Sequence, residues 1–190
     1  NDGDLDLLVA NGHVYPQIDN AGSGSSYAQP NFLFANRNGQ FTLLLPQPGD
    51  SLGTSQVSRG VGSGDFDNDG DLDLFTTNLN ARPVLLRNEF GNKHNWLNVH
   101  LAGVHANRSA VGARVHLYAA GQRQVREVIA GSSFLGSEDP RLHFGLGSAT
   151  AVDSLRVYWP GGRPQTFRAV PINTFIHIAE GQPTWHTSPQ

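Results

Sequence analysis

At 190 residues and 38% hydrophobic side chains, the chain can bury one or two modest cores, and 22 Gly with 11 Pro point to many turns rather than long helices. With no Cys there are no disulfides and no cysteine catalysis, and no apolar run reaches the roughly 20 residues of a membrane span. The net charge of -3 hides an asymmetry: eight of the 16 acidic residues sit in two aspartate strings, whereas from Lys93 onward nine Lys and Arg face five Asp and Glu. That second half is mildly basic, but it lacks the dense Lys/Arg clusters with interleaved aromatics that a nucleic-acid partner requires.

The string NDGDLDL opens the chain at residues 1–7 and recurs at 68–74. The chain therefore begins inside one copy of a repeated loop, and the expectation is a piece of a longer repeat protein. Phe32 to Asn36 and Gln40 to Leu44 read as two strands around Arg37-Asn38-Gly39, an Asn-Gly hairpin signature. Val84-Leu85-Leu86-Arg87-Asn88, followed by Gly91, repeats the theme of Leu33 to Asn36 and Gly39. The loops are offset by 67 residues and these strands by 52, so the first copy carries about fifteen extra residues, expected between Gly12 and Gln29, where the composition is that of a surface insertion. One acidic loop and a few short strands per unit is the sequence form of propeller blades.

The second loop is complete: Asp65, Asp67, Asp69, Asp71 and Asp73 alternate around Gly70. Five carboxylates at this spacing repel one another unless a cation lies among them, and hard oxygen donors in a flexible loop suit calcium rather than zinc or copper. Asp65, Asp67 and Asp69 would supply side-chain oxygens, Asp71 its carbonyl and Asp73 the closing carboxylate, with Gly70 allowing the sharp turn. An EF-hand is excluded because loop position twelve is Thr76 rather than Glu, and because the flanks read as glycine-rich turn and strand. In the first copy Asp2, Asp4 and Asp6 remain without the two leading ligands, so a weak second site is the most that is expected there.

From Asn95 the pattern becomes strand alternation. Leu97, Val99 and Leu101 are expected in a core with Trp96, Asn98 and His100 opposite. Ala113, Val115 and Leu117 alternate with Arg114, His116 and Tyr118, and Leu155, Val157 and Trp159 with Arg156 and Tyr158. With Leu142/Phe144 and Ile176/Ile178 this gives at least five or six half-buried antiparallel strands, a small β-sandwich. The boundary is expected near Gly91 to His94. The reading is all-β: residues 1–92 as about two partial propeller blades, the first truncated, 93–182 as the sandwich, and 183–190 as a polar tail with Trp185 free to dock.

The chain, in order VSRGVGSGDFDNDGDLDL, NRSAVGARV, LHFGLG and VDSLRVYWPGG, resembles the end of an FG-GAP/VCBS-repeat β-propeller followed by an ASPIC/UnbV domain. This is the arrangement of the cartilage acidic protein family and of many bacterial exported homologues. The resemblance implies an extracellular or periplasmic location, calcium-stabilised blades, and adhesion or assembly rather than catalysis.

No catalytic motif competes with that reading: GxSxG, GxxxxGK[ST], HExxH and a complete GxGxxG are all missing. His100, His116, His143 and His177 are expected on outward strand faces as solvated or interface residues. Arg114 is expected at the domain junction or on a partner's acidic group. Three functions stay open at this point: a non-catalytic calcium-binding module with a protein partner, an accessory subunit of a larger envelope or membrane-associated assembly, and a glycan-binding module using Trp96, Tyr118, Tyr158 and Trp185. Contact with a membrane would come only through a partner.

Overall fold

The structure is a computed structural model that describes residues 1–46, 50–89 and 91–187. Two three-stranded sheets come first. Strands β1 (Leu7–Val9), β2 (Phe32–Arg37) and β3 (Gln40–Leu44) form one in that order, and β4 (Ser58–Gly64), β5 (Asp73–Asn78) and β6 (Val84–Leu86) form the other. The β2-β3 hairpin closes on Asn38 and Gly39, both at positive φ (54° and 84°), with Arg37 paired to Gln40. That is the two-residue turn an Asn-Gly pair favours.

The two units repeat in register as well as in sequence. Leu7 pairs with Phe34 and Leu74 with Leu86, partners offset by the same 67 and 52 residues as the motifs. The extra residues of the first copy leave the sheet after β1 and include a single 3-10 turn, Pro16–Asn20.

A further 3-10 turn at Gly91–Lys93 leads into the sandwich. Its strands are β7 (Asn95–Ala102), β8 (Arg114–Ala119), β9 (Gln122–Glu127), β10 (Leu142–Gly147), β11 (Ser154–Tyr158), β12 (Gln165–Phe167), β13 (Phe175–Ala179) and β14 (His186–Thr187). They build two four-stranded sheets in the orders β10-β7-β13-β14 and β12-β11-β8-β9. Between the sheets lies one continuous core in which Leu97, Val99, Val115, Leu117, Phe144, Leu155, Val157, Ile176 and Ile178 are fully buried, as their alternation requires.

Three expectations are corrected. Strands β7 and β13 pair in parallel, Phe175 with Asn98 through Ala179 with Ala102, so the sheet is mixed rather than antiparallel. Trp96 and Asn98 are buried at 6% and 2% exposure instead of lying on an open face, and Gly70 of the first domain abuts the Trp96 indole. Trp185 packs against the sandwich core, and His186–Thr187 pairs with β13, so this part of the C-terminal segment belongs to the sheet and Trp185 is not free to dock.

The alternate glycines of β4 make a further contact with the sandwich. A β-carbon at Gly60 would lie 3.2 Å from the Leu135 carbonyl oxygen, one at Gly62 3.0 Å from that of Ser137, and one at Gly64 3.1 Å from Asp139. In the other direction a β-carbon at Gly136 would overlap the Val61 carbonyl. Residues 134–139 of the sandwich thus lie along a strand face without side chains, tied down where the Asp139 amide donates to the Ser63 carbonyl at 3.1 Å. Gly at 60, 62 and 64 is what permits two backbones to come this close.

Candidate metal centre

The acidic loop connects β4 to β5, whose pairing ends at Gly64 opposite Asp73. Asn68 and Gly70 take positive φ (59° and 93°), folding the connection back on itself. Asp65 accepts from the amides of Asp69 (3.1 Å) and Gly70 (3.0 Å), and Asp69 accepts from the Asp71 amide (3.1 Å). Asp73 accepts from Phe66 (2.9 Å) and Asn88 (2.8 Å). The backbone is therefore shaped by its own carboxylates, which holds the remaining lone pairs in place.

Carboxylate oxygens of Asp65, Asp67 and Asp73 come within 4.8 Å of one another. Asp65 and Asp73 are each 2% exposed. Charges at such separations repel by about 3 to 4 kcal/mol per pair at an effective dielectric of about 20. Burial pushes the Asp65 carboxyl up, and the Asp69 charge adds to it, against the pull of the Gly70 amide and the Arg141 guanidinium. Arg87 pairs with Asp67 at 2.9 Å and is shared with Glu89 at 2.6 Å, a pair too exposed to offset the repulsion. The donors are all hard oxygens, two of the three carboxylates are buried, and a divalent ion of calcium's kind fits their chemistry. Asp65, Asp67 and Asp73 are the residues that would hold it. The Asp69 and Asp71 carboxylates lie outside this group, the Asp69 carboxylate accepting from the Asp71 amide and the Asp71 side chain buried beside Gly91, while the expectation for Asp71 concerned its carbonyl rather than its side chain.

In the first copy the same hydrogen bonds recur without the same site. Asp2 accepts from the Asp4 amide (3.2 Å) as Asp69 does from Asp71, and Asp6 accepts from Asn36 (2.8 Å) as Asp73 does from Asn88. The Asn36 side chain in turn accepts from the Gly39 amide and that of Asn88 from Gly91. Asp4 accepts from the Asn38 amide (2.9 Å). All three carboxylates are exposed, and among the described residues they form no convergent group.

Both loops rest on the sandwich through their equivalent glycines. Gly3 (φ 97°) abuts Gln124, and Gly70 abuts Trp96 so closely that a β-carbon would overlap the indole. Asn1 bridges the junction, its amide nitrogen donating to the carbonyls of Gly70 (2.7 Å) and Gly91 (2.9 Å) and its oxygen lying 2.6 Å from His143 Nε2. That oxygen can only accept, so His143 carries its proton on Nε2, and its buried Nδ1 has no hydrogen-bond partner among the described residues. Burial, helped by the guanidiniums of Arg126 and Arg141, holds the imidazole down to about 4.

Arg141 is the bolt on the other side. It pairs with Asp139 and donates to Asn68 Oδ1 and to the Asp65 carbonyl, both at 2.8 Å. Its guanidinium lies 5.2 Å over the Phe175 ring. The junction arginine is thus Arg141, not Arg114, which is exposed at the start of β8 and, among the described residues, makes no hydrogen bond or ion pair to residues 1–92. Of the other histidines, His100 and His177 face each other at 5.1 Å on the parallel strands, and His116 lies 4.6 Å from Tyr158. Sequence reasoning missed Asn1, Arg141 and the junction role of His143. The available signal was the alternation of glycines at 60, 62 and 64, a strand face made for backbone contact.

The FG-GAP-like repeat family matches residues 1–76, and the family described as ASPIC and UnbV matches residues 103–184. The chain joins an FG-GAP-like repeat to an ASPIC and UnbV domain. Cartilage acidic protein 1 of Xenopus tropicalis is 37% identical over 141 residues, 70% of this chain and 21% of that protein. Cartilage acidic protein 1 of Homo sapiens is 37% identical over 122 residues, 61% of this chain and 18% of that protein. The chain thus spans about a fifth of the length of these relatives. The FG-GAP-like match contains both aspartate loops, and the ASPIC and UnbV match contains Arg141 and His143, so the hydrogen bonds of Arg141 to the acidic loop run between two matched regions, whereas Trp96 lies between the two matches. Among the described residues no helix is long and apolar enough to cross a membrane.

Proposed function

We propose that this chain is a calcium-stabilised, non-catalytic interaction module of an extracellular or periplasmic protein. The observation that carries the reading is the convergence of Asp65, Asp67 and Asp73 within 4.8 Å in a loop fastened to the sandwich by Arg141 and Trp96. An ion among these carboxylates cancels their repulsion and stiffens the junction, so the second domain is presented in a fixed attitude to a protein partner. Extracellular loops of this chemistry bind calcium at about 0.1 to 1 mM, which suits a compartment outside the cytosol. The similarity to cartilage acidic protein 1 supports the same location.

The exposed apolar residues of the first sheet favour assembly into something larger. Leu7, Phe32, Phe41 and Leu43 share one face and are 38% to 52% exposed. A face of this kind is covered in a longer propeller or by an envelope complex. Calcium titration followed by melting temperature and calorimetry tests the central claim. A saturable rise that Asp65→Asn abolishes is expected, and no calcium-dependent rise up to 10-fold above about 1 mM would overturn it.

A further inference from the structure

The outward face of the second sandwich sheet carries a regular arrangement that the metal centre does not use. Strand register places Arg123 opposite Tyr118, Arg156 opposite His116, and Arg114 opposite Tyr158. Each of three successive rows therefore pairs one guanidinium with one aromatic ring, and the rows follow one another at about 7 Å along the strands. Val115 and Leu117, between these β8 positions, are fully buried beneath, so the face is backed by the core. The Arg156 guanidinium lies 5.1 Å over the Tyr158 ring, and His116 is 4.6 Å from the same ring. Among the described residues none of the three arginines is in an ion pair. One carboxylate, Glu127, shares the Arg114 row. The three guanidiniums act on a common centre: after burial, Arg123, Arg114 and Arg156 are what lower the His116 imidazole.

We propose that this face binds an acidic polysaccharide chain, with Arg114, Arg123 and Arg156 taking its sulfate or carboxylate groups and Tyr118 and Tyr158 lying against its sugar rings. A planar guanidinium fork matches a planar or tetrahedral oxyanion, and an aromatic face matches the apolar face of a sugar. A ligand that alternates fixed negative charge with ring faces fits the alternation of charge and ring here. An acidic peptide offers the charge without the rings, and a neutral glycan the rings without the charge. The inference deepens the reading of the chain as an extracellular interaction module by naming the chemistry of one partner.

The test is retention of the full chain on immobilised heparin, with dextran sulfate, polygalacturonate, neutral dextran and poly-glutamate as soluble competitors, in calcium and in chelator. Retention that falls with salt and is displaced by dextran sulfate or polygalacturonate is expected; which of the two competes better separates sulfate from carboxylate as the recognised group. The double variant Arg123→Glu/Arg156→Glu should lose affinity by about tenfold or more, the scale of one lost charge-assisted bond, with an unchanged melting temperature. Arg163→Glu/Arg168→Glu, with two exposed arginines outside the three rows, should keep it. Equal retention of both double variants, or displacement by neutral dextran or poly-glutamate as readily as by the acidic sugars, would overturn the proposal. Retention that persists in a protein shown not to bind calcium overturns the metal reading and leaves this one standing; calcium binding without retention does the reverse.

Discussion

Gly70 of the acidic loop and Trp96 of the sandwich touch backbone to indole, leaving no room for a β-carbon between them. The contact joins two constraints at one residue, because Gly70 also holds φ at 93°. Gly70→Ala should therefore cost more than backbone strain alone. Strain at positive φ contributes about 1 to 2 kcal/mol and overpacking about 1 to 3 more. Gly22→Ala is the control, since its φ is 62° and nothing lies within 4 Å. Urea denaturation should show Gly70→Ala clearly the worse of the two, and equal losses would mean that the indole moves aside freely.

Asp67→Asn separates repulsion from ligation. With calcium at a hundredfold excess over its dissociation constant the wild type gains about 2.7 kcal/mol, and the variant should lose most of that gain. In chelator the sign should change or vanish, because neutralising Asp67 relieves repulsion with Asp65 and Asp73 while giving up only an exposed pair with Arg87. A melting curve of the variant that is equally low in calcium and in chelator would argue for a purely structural aspartate.

Glu180 follows β13 and accepts three backbone amides, from Val104, His105 and Ala106, at 2.9, 2.7 and 2.8 Å. Those amides, Ala106's foremost, hold its carboxyl below its ordinary 4.5. Glu180→Ala orphans them, and a loss of about 2 kcal/mol is expected. The pH dependence runs one way: a depressed carboxylate contributes stability that is present above the unfolded value and lost as pH falls through the folded one. The gap in melting temperature between wild type and variant should thus be full at pH 6 and shrink below pH 4.5, and a gap independent of pH would rule out the charge as its source.

His143 acts in the same direction over a higher window. The unfolded chain takes a proton near 6.5, whereas the folded imidazole resists it down to about 4, so between these values the unfolded state binds more protons and stability declines as pH falls. The full shift corresponds to about 3 kcal/mol. His143→Gln should flatten the profile between pH 6.5 and 4 relative to wild type. Parallel profiles would show that the imidazole is protonated in the fold.

What could be read in advance was whatever repeats locally. Alternation placed Val115, Leu117, Val157 and Ile178 inside, and the NDGDLDL string located both loops, because strand period and loop spacing are properties of neighbouring residues. What escaped depends on contacts between distant segments. Trp96 and Asn98 alternate like outward residues yet are buried, Trp96 against Gly70 of the acidic loop, and the parallel pairing of β7 with β13 leaves no mark on either strand's own pattern. At the metal centre the loop spacing assigned side-chain oxygens to Asp65, Asp67, Asp69 and Asp73 alike, and only folding shows that the carboxylates of Asp65, Asp67 and Asp73 converge.

The bare face of β4 carries an inheritance rule. A strand that reads Gly60, Gly62, Gly64 on one side has given up its own side chains to accommodate the backbone at residues 134–139. Grafting this second domain onto another repeat unit would therefore transplant only half of the fit: the host strand would need alternate glycines at the matching positions, and a recombinant lacking them would hold the two domains on a string rather than as one piece.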